Sequence, residues 1–333
     1  MSITVYHHRD FDGICSAAVF ASFIRKTYPP TTILSFIGVD YESKRGWAKT
    51  NLRKPSAIVD FLYHPDAEWW FDHHETTFVR KDWELQYRGD AQHRWRTDYK
   101  SCPNLVIDSV SDLGIRQQLR DQFLDAAHWC DVIDSAGYNS PQQVVDCVEP
   151  ALQINATLVH DTSPEYLNFL IDKLEQLPLA RVANLEEVAV RFKKMRVWQD
   201  KAIEYIRNTA VLSKGVATID FTKRSELFHR YAVYYLWPDL AFQVALYRRE
   251  SSYRLTVTAN PWRDSNGPHI GAVCEQYGGG GRDSVGGVIT KSYERAIKAA
   301  IEIARILRNE MSFYEQLSLR RNDVEPRISS KSE

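Results

Sequence analysis

Short apolar runs alternate with helical patterns through the first half of the chain. Ile3 to His8 reads as a strand, Asp12-Gly13 as a turn, and ICSAAVFASFIRK (14–26) carries its apolar residues at helical spacing. TILSFIG (32–38), SAIVDF (56–61), EWWFD (68–72) and NLVIDS (104–109) are further apolar runs that read as strands. Strands interleaved with helical segments predict an α/β fold with a parallel sheet, whose functional side chains gather at the carboxyl ends of the strands. One spacing is unusual. Asp60 and Asp72 are only twelve apart, whereas a parallel crossover takes about a dozen residues or more. Either that connection is tight or one of the two runs is not a strand.

From Leu179 to Lys214 there is no Gly or Pro, and Leu185, Val188, Phe192, Met195, Ala202 and Ile206 recur at helical spacing. Asn184 followed by Glu187 has the form of a capping box, and Gly215 is a natural stop. A helix of about 30 residues would span about 45 Å and could bridge two domains. Beyond it, VATIDF (216–221), YAVYYL (231–236), FQVALYRR (242–249) and YRLTVTAN (253–260) read as strands of a second, α+β domain. The glycine run YGGGGRDSVGG (277–287) follows, then a helix from about Ser292 to Leu317 and a polar tail. The expected organisation is a first domain over 1–180, a linker helix over 181–214, a smaller second domain over 215–318 and a disordered tail over 319–333.

Composition narrows the function classes. The 333 residues include 42 basic and 43 acidic ones, so no global field recruits nucleic acid or an anionic membrane, and a polyanion must be met by a local site. Five scattered cysteines without a C-x-x-C pair argue against a disulfide framework and against a thiolate zinc site. The N-terminus has no signal-peptide pattern and no run approaches the ~18 apolar residues of a membrane helix. A cytoplasmic protein is expected, with Asn155-Ala156-Thr157 a chance sequon.

Six of the ten histidines precede residue 94: His7, His8, His64, His73, His74 and His93. In an extended backbone His8, Asp10 and Asp12 would face one side while Phe11 turns to the core. An imidazole and two carboxylates without thiolate suit Mn²⁺, Mg²⁺ or Fe²⁺ better than structural zinc, although D-x-D-G alone is more often a surface turn. Asp72-His73-His74-Glu75 follows Trp69-Trp70-Phe71; tandem histidines after a strand should diverge, leaving at most one as a ligand. Asp60 and Asp108 end apolar runs, where carboxylates often cap helices. Asp131 and Asp134 lie three apart in HWCDVIDSAGY. Residues 80–100 interleave basic residues with Trp83, Tyr87, Trp95 and Tyr99. That composition suits single-strand stacking, but its acids favour a solvated insertion loop.

Taken in order, HxDxDG (8–13), VDF (59–61), FDHHE (71–75) and CDVID (130–134) resemble the DHH phosphoesterase superfamily, and GGGGRDSVGG (278–287) is similar to the glycine loop of its DHHA1 domain. The resemblance covers nearly the whole chain. It implies a two-Mn²⁺ centre with His8 and Asp10 on one ion, Asp12 and His73 on the other, Asp60 between them and Asp131 completing the set. His74 would meet the scissile phosphate and Asp72 would orient a histidine. Gly279, Gly280, Gly281 and Arg282 would bind substrate, with Asn260 and His269 as further candidates in the same cleft. His7 competes with His8, and Asp134 with Asp131. Arg282 stands where the family loop carries histidine, which bears on substrate identity. The activity implied is phosphodiester hydrolysis of short oligonucleotides, linear dinucleotides or cyclic nucleotides by an activated water. The implied partner is that short nucleic acid or nucleotide; no membrane is expected, and a homodimer is admitted. The alternatives are a pyrophosphatase or exopolyphosphatase, a nucleotide-binding relict and a structural zinc domain.

Overall fold

The computed structural model describes residues 1–263 and 267–322. Residues 323–333, most of the expected disordered tail, lie outside the described residues. The chain divides into two compact units, Met1–Tyr138 with Asp146–Met195, and Asn139–Val145 with Arg196 onward.

The first unit is a five-stranded parallel sheet of order β2-β1-β3-β4-β5: β1 (Ser2–His8), β2 (Ile33–Val39), β3 (Ser56–Val59), β4 (Trp69–Asp72) and β5 (His93–Trp95). Its helices are α1 (Phe11–Thr27), α2 (Lys44–Trp47), α3 (Lys81–Gln86), α4 (Cys102–Ser109) and α5 (Leu113–Asp134). Then come α6 (Pro141–Asp146), α7 (Pro150–Thr157), α8 (Pro164–Gln176), α9 (Leu179–Ala183) and α10 (Glu186–Thr209). Strand order reverses at β1, with β2 on one side and β3 on the other. The crevice at the carboxyl ends of β1 and β3 is therefore the switch point where such sheets bind ligands.

The Asp60–Asp72 spacing proves to be a tight crossover between two true strands. Two buried indoles explain it: Trp47 Nε1 donates to the Leu62 and Tyr63 carbonyls at 3.1 and 3.0 Å, and Trp70 Nε1 to that of Phe61 at 2.9 Å. A helix is not needed when side chains satisfy the loop's carbonyls.

Several expectations are corrected. NLVIDS is not a strand but most of α4, because Pro103 sits in the first helical turn, where its missing N–H is harmless. YAVYYL is helical over Ala232–Leu236. Short apolar runs buried all round do not distinguish the two states. The long helix is broken: the Asn184 amide donates to the Ala180 carbonyl and closes α9 instead of capping α10. It ends at Thr209, and Lys214 and Gly215, both at positive φ (47° and 71°), form the two-residue turn of a hairpin. Residues 80–100 are a partly solvated segment that carries two short elements. Within it lie α3 and β5, and Trp83, Tyr87 and Trp95 do not stack outward but pack with Tyr63, Trp70 and Phe78. Arg80 and Arg96 pair with Asp82 and Asp98.

The second unit is a six-stranded sheet of order β10-β11-β9-β8-β7-β6. The strands are β6 (Val211–Ser213), β7 (Val216–Asp220), β8 (Phe242–Arg249), β9 (Ser252–Ala259), β10 (Gly280–Gly281) and β11 (Val285–Thr290). Its other helices are α11 (Ala232–Leu236), α12 (Ile270–Glu275) and α13 (Tyr293–Asn322), which passes the expected end at Leu317. Alternation along β8 separates two cores, Val244 and Leu246 under α13 and Ala245 and Tyr247 under α10 and α11.

Candidate metal centre

The site is built where three strands end. β1 stops at His8 and the chain turns at once into α1, so Asp12 reaches the site from the first helical turn and not along an extended backbone. Asp10 caps that helix by accepting the Gly13 N–H at 2.9 Å. Only glycine fits at 13, since a Cβ there would lie 2.2 Å from the His8 carbonyl oxygen. Asp12 is buried and accepts from Ser16 Oγ (3.3 Å) and from the N–H of Cys102 at the start of α4 (3.0 Å).

Asp60, the first residue after β3, is fully buried in the left-handed region (φ 55°), and neither carboxylate oxygen has a hydrogen-bond partner. Asp tolerates that backbone better than most residues. Its N–H donates to the Phe71 carbonyl at 2.9 Å, which pins it to β4. At the end of β4, Asp72 Oδ1 accepts the His73 N–H (2.9 Å) and pairs with His74 Nδ1 (2.8 Å). His73 Nδ1 meets the Tyr99 carbonyl at 3.2 Å. Its Nε2 is thereby aimed at Asp12 (3.3 Å), Asp60 (3.4 Å) and Asp134 (3.6 Å). The expected divergence of the two histidines fails because the strand ends at Asp72. Their ring centroids are 4.4 Å apart, and both rings reach Asp60.

Asp134, not Asp131, is brought to the cluster. Asp131 accepts from Ser101 Oγ (2.5 Å) and Asn104 Nδ2 (3.2 Å), tying the end of α5 to the start of α4. Asp134, three residues on, faces His73. His7 is fully buried with Nδ1 against the His8 carbonyl, and burial lowers its pKa to about 4. Among the described residues it stands outside the three groups that could hold a metal ion: His8, Asp10 and Asp60; Asp60, His73 and His74; and Asp12, His73 and Asp134.

The electrostatics fit cations. Burial, then Asp12 and Asp10, push Asp60 well above the usual carboxylate range. Burial and the charge of Asp12 lift Asp134 to about 6. Burial opposes a charged His73, but Asp12 and Asp60 outweigh it and raise its pKa to about 12. Buried carboxylates at this density are costly unless compensated. Neither Asp60 oxygen has a hydrogen-bond partner, His8 Nδ1 pairs with Asp10 at 2.6 Å and His73 Nε2 has only ion-pair contacts, and an oxygen and imidazole set suits hard or borderline divalent ions. The residues present therefore fit a metal centre.

A pH dependence follows. In the metal-free protein Asp12 and Asp60 favour the proton on His73, and burial favours a proton on Asp60; a ligand must release its proton to bind. Mn²⁺ affinity is thus expected to rise with pH across about pH 6 to 8, with proton release visible by calorimetry in buffers of different ionisation enthalpy. A flat affinity without proton release would contradict the ligand assignment.

In the second unit, the glycine run forms a close hairpin. A Cβ at Gly279 would lie 2.0 Å from the Gly287 carbonyl oxygen, and Gly281 has φ 153° with Gly286 as its strand partner. Arg282 is exposed at the turn, and its guanidinium makes no ion pair among the described residues. Asn260 is buried and holds a turn through the Pro238 and Leu240 carbonyls, while His269 caps α12 and meets Asp283 at 2.7 Å. Both side chains have these structural roles. Sequence reasoning missed Tyr41, whose ring stands against His8 and His74. Its position just past the β2 strand was the available signal.

No protein-family model and no curated protein matches the chain. Solved structures do. A pGpG-specific phosphodiesterase, PggH from Vibrio cholerae, aligns over 93% of this chain and 100% of its own with a TM-score of 0.72 at 17% identity. An exopolyphosphatase-related protein from Bacteroides fragilis aligns over 93% of each chain (TM-score 0.52, 13% identity). Exonuclease RecJ bound to manganese covers 91% of this chain and 89% of its own (TM-score 0.52, 11% identity). This chain shares the fold of these structures, a five-stranded parallel sheet in one unit and a six-stranded mixed sheet in the other.

Proposed function

We propose that the chain is a divalent-cation-dependent phosphodiesterase acting on short nucleotides: linear dinucleotides, oligoribonucleotides of a few residues or cyclic nucleotides. The observation that carries this reading is the fully buried Asp60 carboxylate, without a hydrogen-bond partner and within reach of His8, His73 and His74. The end-to-end likeness to a pGpG phosphodiesterase supports the substrate class. His8, Asp10 and Asp60 would hold one cation, and Asp12, His73 and Asp134, with Asp60 between the groups, a second, most simply Mn²⁺. Such ions supply positive charge to the phosphoryl group and acidify water. His74, fixed through Nδ1 by Asp72, keeps Nε2 for a phosphoryl oxygen. Among the described residues no helix is long and apolar enough to cross a membrane, and a cytoplasmic site of action fits the five free cysteines.

The test is incubation with Mn²⁺, and with chelator, of dinucleotides, short RNA and DNA, cyclic nucleotides and polyphosphate, with products resolved chromatographically. Release of mononucleotides only with the metal supports the reading. Turnover of polyphosphate alone, or none, overturns it.

Arg282 separates binding from chemistry. In the second unit it is free to meet a non-scissile phosphate or a base, so Arg282→Ala is expected to raise KM for a dinucleotide about ten- to a hundredfold, the worth of a charge-assisted hydrogen bond. Arg282→Lys should recover part of this. Bis-p-nitrophenyl phosphate hydrolysis and metal content should not change. Equal losses on both substrates would assign Arg282 to the fold.

A further inference from the structure

The Tyr41 side chain lies on the rim of the metal cluster, and its environment is unusual for a tyrosine. The chain leaves β2, Asp40 accepts the Tyr41 N–H at 2.6 Å, and a single 3₁₀ turn (Tyr41–Ser43) lays the ring over the site. The ring is held on three sides. It stands edge-on to His8 at 5.1 Å and to His74 at 5.9 Å, and it packs on the buried Phe61 at 5.3 Å. A ring so confined has little rotational freedom, yet its hydroxyl has no hydrogen-bond partner among the described residues. The hydroxyl of the fully buried Tyr234 is taken up by Thr258 at 2.8 Å, whereas Tyr41 is only half-buried and its hydroxyl stays open to a ligand at the site. Asp60 and Asp72, close by, are occupied: Asp72 by the histidines, Asp60 as the proposed cation ligand.

We propose that Tyr41 is a substrate-contacting residue whose hydroxyl donates a hydrogen bond to a phosphoryl oxygen of the scissile phosphate. This rests on the phosphodiesterase reading. A phosphoryl group seated between His8 and His74 would lie against the free end of this ring. A phenol at neutral pH is a donor. Carboxylates cannot supply one to an anionic phosphate, and the cluster is otherwise rich in them. Charge on the phosphoryl oxygens is met most strongly by donors fixed before the reaction begins, and a ring wedged among His8, Phe61 and His74 is fixed. Tyr41 differs from Arg282 in what it should contact: the reacting phosphate, common to all substrates, not a remote group.

The experiment compares wild type, Tyr41→Phe and Tyr41→Leu on a dinucleotide and on bis-p-nitrophenyl phosphate, with Mn²⁺ content and melting temperature measured alongside. Tyr41→Phe keeps the packing and removes only the hydroxyl. It is expected to lower kcat about tenfold or more on both substrates with metal content and melting temperature unchanged. The two phosphorothioate diastereomers of the dinucleotide provide a readout that packing would not move. Sulfur accepts hydrogen bonds poorly, so one diastereomer should show a penalty in wild type that shrinks in Tyr41→Phe. Wild-type kcat in Tyr41→Phe, with loss only in Tyr41→Leu, makes the ring a packing element and overturns the proposal. Loss of Mn²⁺ in Tyr41→Phe also overturns it, by placing the effect on the ligands. A wild-type chain inactive on every phosphodiester overturns the functional reading itself, an outcome distinguishable from the other two.

Discussion

Asp60→Asn is expected to abolish hydrolysis while raising the melting temperature of the metal-free protein. Asn keeps the size of the side chain and tolerates the left-handed backbone at φ 55°. It removes a carboxylate that burial, Asp12 and Asp10 hold well above its ordinary pKa. The sign is set by that direction. An acid with a raised folded pKa destabilises the fold once pH exceeds its unfolded value, so above about pH 4 the metal-free wild type carries a penalty that the amide lacks. The metal-loaded protein should behave in the opposite way. Without the residue shared between the proposed ion positions, Mn²⁺ occupancy should fall. Loss of several kcal/mol of charge stabilisation corresponds to about a thousandfold or more in rate. Elemental analysis, turnover and thermal unfolding with and without Mn²⁺ measure all three. Full activity with two bound ions would sink the assignment.

The second large effect should separate two neighbouring carboxylates. Asp134→Asn is expected to cost about a thousandfold in turnover together with metal occupancy, because Asp134 faces His73 Nε2 at 3.6 Å. Asp131→Asn should act differently. It turns an acceptor for Asn104 Nδ2 into a possible donor and loosens the tie between α4 and α5. Supporting contacts of this kind are worth about ten- to a hundredfold in metal affinity or activity, and the melting temperature should fall as well. The reverse pattern, with Asp131→Asn losing metal at unchanged stability, would restore Asp131 as the ligand.

That pair also shows where sequence reasoning stops. Strand-end placement marked His8, Asp60, Asp72 and His73, because a parallel sheet presents carboxyl-end residues to one crevice whatever the loops do. Asp131 and Asp134 are three apart on one helix and share a face. Which one serves the cluster is decided by Ser101 and Asn104, about thirty residues earlier in the chain. The same gap explains residues 80–100. Their aromatics were visible, but their partners Tyr63, Trp70 and Phe78 come from other elements, and only those contacts turn a stacking surface into core. NLVIDS was ambiguous because α4 is buried on nearly every side, so no period of two or of 3.6 emerges.

Asp12 accepts its hydrogen bond from Cys102, ninety residues further along the chain, and shares His73 with Asp134 beyond that. On the ribosome, the HxDxDG and DHH segments emerge long before α4 and α5 exist. Until α4 and α5 have left the exit tunnel and docked, Asp12 lacks its Cys102 donor and His73 lacks Asp134. The nascent polypeptide therefore carries the groups of His8, Asp10 and Asp60 and of Asp60, His73 and His74 before the third group can form. The first unit also includes Asp146–Met195, so the group of Asp12, His73 and Asp134 is expected to be complete only once those residues too have been translated.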